Sequence, residues 1–187
     1  MGGSVNHDVY SDDYIRGILS SVKTVAMVGA SANEVRPSYF VLKYLLDRGY
    51  RVHPINPGLA GKAILGATVY GALRDVPEPI DMVDIFRNSD AAAAVVDEAL
   101  ALDPRPKVIW MQLSVRNDEA AARAEAAGLK VVMNRCPKIE LGRLSSEIAW
   151  MGVNSRTISA KRAPQLKDGK FQKLGLRQTF GPWRSDE

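Results

Sequence analysis

Five short apolar runs recur along the chain, each ending in turn-forming or polar residues, and this recurrence limits the fold more than any other feature. The runs are Thr24–Gly29, Arg51–Ile55, Asp81–Phe86, Lys107–Leu113 and Lys130–Met133. Their length and their flanks predict strands. Between several of them the apolar spacing becomes helical: Tyr39, Leu42, Leu45 and Leu46 before Gly49; Ala91, Val95, Ala99 and Leu102 before Pro104; and the Ala-rich Asn117–Ala127 before Gly128. Parallel strands need a crossover and the crossover is usually helical, so the alternation predicts an α/β fold: a doubly wound, mostly parallel sheet with helices on both faces. A chain of 187 residues suits one such domain. Ser11-Asp-Asp opens a short helix with a cap hydroxyl and two early acids, predicted to pack on the sheet edge. The expected organisation is an extension over 1–21, a domain over 22–150 and a basic arm over 151–187.

The formal net charge of +4 belongs to that arm. From Asn154 to Glu187 there are eight Lys/Arg against three Asp/Glu, whereas the rest of the chain carries 17 basic against 18 acidic residues. The body is close to neutral, which argues against nucleic acid as its partner. The arm, with few apolar anchors, is expected to be extended and available to a protein partner or a second copy. No apolar run is long enough to cross a bilayer and Met1–Ser21 lacks the pattern of a leader, so a cytoplasmic protein is expected. The lone cysteine, Cys136, has no disulfide partner within the chain, and no Cys/His spacing suits a metal.

The first strand runs through Gly29, Ala30 and Ser31 into a helix opened by Arg36 and Pro37. In an open parallel sheet, ligands sit beyond the carboxyl ends of the strands, and small residues there let backbone N–H groups approach a phosphate while the helix N-terminus adds partial positive charge. The same Gly-Ala-Ser also suits tight packing. A dinucleotide site calls for G-x-G-x-x-G and an acid about 20 residues on. Only Gly29 matches, and the second strand ends His53-Pro-Ile-Asn-Pro-Gly58 without an acid. A phosphorylated ribose would be repelled by an acid and favours cations and neutral donors, for which Arg36, Arg51, Lys62 and Asn56 are available. Coenzyme A and NADP both fit that charge balance.

An ordered series of motifs extends the reading. It comprises Val28-Gly-Ala-Ser, Arg36-Pro-Ser-Tyr, Gly49-Tyr-Arg-Val, Pro54-Ile-Asn-Pro, Ile64-Leu-Gly, Asp81-Met-Val-Asp-Ile-Phe-Arg, Val108-Ile-Trp-Met-Gln-Leu and Asn134-Arg-Cys-Pro-Lys-Ile-Glu140. In this series the chain resembles, from about Val22 to Leu144, the small stand-alone CoA-binding domain proteins related to the N-terminal domain of the succinyl-CoA synthetase alpha subunit. The resemblance implies a Rossmann-like fold holding coenzyme A or an acyl-CoA along the C-terminal ends of the strands. It implies a phosphate-facing first turn at Gly29, Ala30, Ser31, Asn33, Arg36, Pro37, Ser38 and Tyr39, and a second-strand loop at Asn56 and Pro57. Phe86 and Arg87 would form a wall, with Gln112 and Cys136 on the far side of the cleft. The chain departs from the family at Leu113-Ser114, where Leu-Gly is common, at Asn134, where Asp is, and at Leu141, where an aromatic residue or His is. The synthetase carries its phosphorylated histidine in another domain, so ligase activity is not implied.

Cys136 precedes Pro137, a residue favoured at the first helical position, and is expected to be an N-cap: a small partly buried cap residue sooner than a reactive thiol, although the helix dipole, Arg135 and Lys138 are expected to acidify it. Phe86 beside Arg87 could stack on adenine and contact phosphate. Gln112 could hydrogen-bond a pantetheine amide or as easily cap a loop. Trp110 is expected in the core, His53 in a packing role, His7 in a flexible terminus, and Glu140 with Glu147 on a solvated face. No nucleophile turn, P-loop or metal motif appears, hence no catalytic residue is assigned. A non-catalytic CoA-binding protein is the leading expectation. An NADP- or CoA-dependent enzyme using Cys136 is the second. A nucleotide-sensing regulator is the third, its arm offering only Phe171, Phe180 and Trp183 for stacking.

Overall fold

The computed structural model describes residues 5–145. The five predicted strands are present as β1 (Thr24–Val28), β2 (Arg51–Ile55), β5 (Met82–Ile85), β6 (Val108–Met111) and β7 (Lys130–Val132). They form one parallel sheet in the order β2-β1-β5-β6-β7. β2 coincides with its apolar run and the other four strands are one to three residues shorter, because Gly29, Phe86, Gln112 and Met133 have already left the ladder to build the loops above it. From β1 the chain crosses one way to β2 and then returns to β5 on the opposite flank, so its winding reverses at β1 and β5. A crevice opens where the two connections part.

Side chains alternate across the sheet and bury both faces. Ala26, Val83, Ile85, Ile109, Met111 and Val131 pack beneath α3 (Ser89–Leu100) and α4 (Asp118–Ala126). Val25, Met27, Met82, Val108, Trp110 and Val132 pack beneath α1 (Asp12–Ser21), α2 (Pro37–Asp47) and α5 (Pro137–Leu144). Every residue of β5 and of β6 is buried, as a strand covered on both faces requires. Each crossover helix starts at a side-chain cap or a proline: Asn88 accepts from the Ala91 N–H, Asn117 from the Ala120 N–H, and Pro37 opens α2.

The edges are covered. The Met133 N–H donates to the Tyr10 hydroxyl at 2.8 Å and the Tyr14 hydroxyl donates to the Val131 carbonyl at 3.2 Å, laying the N-terminal segment along β7. His7, expected in a flexible terminus, instead lies against Tyr10 and Glu125. On the other edge, the Tyr70 N–H donates to the Pro54 carbonyl and the Tyr70 carbonyl accepts from the Asn56 N–H. Between them runs a hairpin that the apolar runs did not announce, β3 (Ala63–Ile64) and β4 (Ala67–Thr68). It turns at Leu65 and Gly66, both at positive φ (51° and 81°), the conformation tight two-residue hairpins demand. The 151–187 arm and Glu147 lie outside the described residues.

Gly29 ends β1 at φ 89°, and a methyl group there would stand 2.5 Å from the Phe86 carbonyl oxygen and 3.1 Å from Arg87 Cδ. Gly29→Ala therefore combines left-handed strain with overpacking, and is expected to lower unfolding free energy by about 2–4 kcal/mol. Urea denaturation measures this; a loss below about 1 kcal/mol would show that the turn relaxes freely.

Candidate functional site

All five strands of the sheet contribute, through the loops at their C-terminal ends, to one cavity of about 540 Å³. The β1 loop supplies Gly29, Ala30 and Ser31, and the start of α2 supplies Arg36, Pro37, Ser38 and Val41. Asn56 follows β2, Phe86 and Arg87 follow β5, Gln112, Leu113 and Val115 follow β6, and Cys136 caps α5 beyond β7. Eleven of the residues singled out in the sequence thus share one wall. Asn33, Tyr39 and Pro57 do not reach it. The Asn33 carboxamide oxygen accepts from the Val35 N–H within the turn, the Tyr39 hydroxyl donates to Glu34, and Pro57 opens a short 3-10 turn. Val41, Leu113 and Val115 are additions whose apolar character gave no functional signal.

The first turn is stitched to its neighbours. The Gly29 N–H donates to the Ile55 carbonyl at 3.0 Å and so is not available to a ligand; Gly29 is required for the close approach of the Phe86 backbone instead. The Ala30 and Ser31 N–H groups donate to no acceptor among the described residues. Asn56 donates its amide to the Ala30 carbonyl at 2.8 Å and accepts from the Gly58 N–H at 2.9 Å, tying the β2 loop to the β1 loop. Its role is to fix the loops, where an acid-bearing strand end would have offered a carboxylate.

Electrostatically the near side of the cavity is positive. Arg36 and Arg87 form no ion pair with any described residue, no described Asp or Glu lines the cavity, and α2 and α5 both direct their N-termini to it. Two cations expected to contribute lie elsewhere. Arg51 stands at the opposite end of the sheet, bonded to Thr24 and paired with Glu78 at 2.9 Å, because it begins β2 and does not end it. Lys62 lies exposed before β3 and does not line the cavity.

The far side is held from below. The Trp110 indole, fully buried as expected, donates to the Arg135 carbonyl at 2.7 Å and anchors the loop that carries Cys136. Ser114 and Asn134 both take positive φ (66° and 53°), and the Asn134 side chain accepts from the Ser114 N–H at 2.8 Å. The left-handed backbone explains why glycine suits position 114. His53 is bonded to Glu78 and packed edge-on to Tyr70, away from the cavity.

Two sequence expectations are overturned by burial. The Cys136 thiol is 7% exposed, and burial pushes its pKa up; the amides of Lys138 and Ile139 oppose the shift without reversing it, and the negative charge of Asp84 reinforces it. Glu140, expected on a solvated face, is also 7% exposed and pairs with Arg143 at 2.7 Å. Short helices hide this distinction, since one turn decides which side faces the sheet.

Asp84 was not singled out in the sequence. It sits on β5 at 0% exposure, beside Met27 and Trp110 in the ladder, and its carboxylate accepts from Gln112 Nε2 at 2.9 and 3.2 Å. Burial pushes its pKa up to about 7, with the Gln112 hydrogen bond opposing the shift.

A Rossmann-like α/β domain with an open crevice at the reversal of its winding is what this fold and site define. Residues 23–142 match the family model described as CoA binding domain, and the chain belongs to that family. It is 34% identical over 125 residues to the uncharacterized protein YneT of Bacillus subtilis (strain 168), covering 67% of this chain and 90% of that one. It is similar to the structure of a hypothetical protein from Pyrococcus horikoshii OT3, with 37% identity, a TM-score of 0.69, and coverage of 78% of this chain and 99% of that one. It is also 31% identical over 90 residues to the ADP-forming acetate–CoA ligase of Methanocaldococcus jannaschii, a match spanning 48% of this chain and only 12% of the ligase. No described helix is long and apolar enough to cross a membrane.

Two measurements probe the buried groups. Between pH 3.8, the ordinary aspartate value, and about 7, folded Asp84 keeps a proton that the unfolded chain has released, so stability falls as pH rises through that window and levels above it. Asp84→Asn is expected to flatten this part of the profile and to be the more stable protein at pH 8, by a few kcal/mol at most. Urea midpoints at pH 5 and 8 for both proteins test it; parallel profiles would remove Asp84 as the cause. Cys136 is expected to react with an aromatic disulfide at pH 7.5 at least tenfold faster in urea than in buffer. Equal rates would show an accessible thiolate.

Proposed function

We propose that this chain binds coenzyme A, free or acylated, across the C-terminal ends of its strands, and that it catalyses no reaction on its own. The observation that carries the reading is a cavity that, among the described residues, has two arginines without an ion-pair partner and no carboxylate in its wall, in a member of the CoA binding domain family. Arg36, Arg87 and the Ala30 and Ser31 amides suit a pyrophosphate and a ribose phosphate, since guanidinium groups bind such oxygens with charge-assisted bonds. The Asn56 loop supports the same choice, because a carboxylate in its place would repel the ribose phosphate and grip a free diol. Phe86 offers a ring beside Arg87 for the base.

Cys136 is a packing and cap residue in this reading. A buried thiol with a raised pKa is poorly suited to nucleophilic or exchange chemistry. The ligase resemblance concerns a small part of a much longer protein, and its activity does not transfer.

Calorimetric titration with coenzyme A tests the proposal. Arg36→Ala and Arg87→Ala are each expected to weaken binding by about 1–3 kcal/mol, the range for a charge-assisted contact, and to do so less in high salt. Tighter binding of NADPH than of coenzyme A, or unchanged affinity in both variants, would overturn it.

A further inference from the structure

A carboxylate enclosed in an apolar layer between helices and sheet calls for a reason beyond stability, because its burial is costly and here only one neutral partner offsets it. Asp84 has that partner in Gln112, a residue 5% exposed that lines the cavity. Above about pH 7 Asp84 is ionised, and an ionised carboxylate only accepts hydrogen bonds. Gln112 must therefore turn its NH2 group down toward Asp84, and both Asp84 oxygens are within reach of Nε2. The Gln112 amide oxygen is left without a partner among the described residues. Nor is it sealed in: among those residues the one buried side-chain nitrogen or oxygen lacking a hydrogen bond is Glu125 Oε1.

Resting on the coenzyme A reading, we infer that Asp84 is a positioning residue that fixes Gln112 as a hydrogen-bond acceptor, so that the cavity selects a ligand whose uncharged arm brings a donor to the end of β6. The division of the wall places this donor. The unpaired arginines and the open amides stand over β1 and β5, whereas the wall beyond them is Gln112, Leu113, Val115 and Cys136, without a charge. Phosphates belong over the first group and an uncharged arm over the second. Amide N–H groups and a terminal thiol are the donors that such an arm carries. An amide at position 84 could donate to the Gln112 oxygen and turn it away from the ligand, so the negative charge of Asp84, and not its shape, sets the direction.

The test is calorimetry at pH 8 on the full chain, with coenzyme A, acetyl-coenzyme A and adenosine 3′,5′-bisphosphate as probes. Four proteins are compared: native, Asp84→Asn, Gln112→Met and the double variant, each checked by thermal unfolding. Each single change is expected to weaken coenzyme A about tenfold, the effect of one lost hydrogen bond, and the double variant no further than Gln112→Met. The bisphosphate, which has no arm, should bind all four equally. Equal losses for coenzyme A and its acetyl form place an amide N–H at Gln112; a loss confined to the free form places the thiol there. Additive losses in the double variant, equal losses for the bisphosphate, or coenzyme A binding that ignores both residues would overturn the inference while leaving the proposed function standing. A native protein that binds no coenzyme A would overturn both. Should Gln112→Met fail to fold, exchange protection of the Gln112 side-chain N–H protons, expected in the native protein and lost in Asp84→Asn, carries the same decision.

Discussion

The approach of the Gly29 backbone to the carbonyl of Phe86 sets the geometry from which the rest of the site follows. At that point the ends of β2, β1 and β5 meet: the Gly29 N–H closes onto Ile55, its bare Cα passes the Phe86 backbone, and Asn56 reaches across to Ala30. A parallel sheet winds in opposite directions from this place, so the loops part and leave a crevice that no described helix covers. A side chain at position 29 would wedge the strand ends apart. The cavity is in this sense a consequence of one missing Cβ.

Much of this was legible in the sequence because it depends on local patterns. Apolar runs of strand length alternate with helical spacing, and each helix ends near a glycine or a proline, so the layers and the parallel pairing follow from connection geometry. The site residues at strand ends were legible for the same reason, since a loop following a strand in such a sheet has one place to go. What failed was tied to direction and depth. Arg51 was read as a cation at the site although a strand delivers its first and last residues to opposite ends of the sheet. Asn33 and Tyr39 were carried along with the motif around them, yet one side chain closes the turn and the other leans away.

Burial was the larger gap. A cysteine at a helix N-terminus flanked by cations reads as an acidic thiol only while water is assumed around it; with Trp110 anchoring the loop beneath, desolvation outweighs the dipole. Glu140 reverses in the same way, from surface residue to a partner of Arg143. Asp84 shows why such errors arise. Within Asp81-Met-Val-Asp-Ile-Phe-Arg the two acids look alike, yet Asp81 caps the strand start, where Lys107 and two backbone N–H groups hold its carboxyl below the usual range, while Asp84 is enclosed and pushed above it. Three residues along the chain separate an anchor with a cation and two N–H partners from a buried charge with one neutral partner.

That contrast bears on how stability and recognition divide along β5. Met82 and Val83 bury themselves at no electrostatic cost, and any apolar residue of similar volume at position 84 would do likewise. Burial raises the pKa of an aspartate there, so ionising it in the folded protein costs stability, and on the inference drawn above what it contributes is the orientation of a single amide at the cavity wall. Titratable groups shifted this far by burial beside a cleft are candidates for a role at the site. On the proposed reading, the arginines over β1 and β5 would give the cavity attraction for anions in general, whereas a fixed acceptor at the end of β6 would make it discriminate among them.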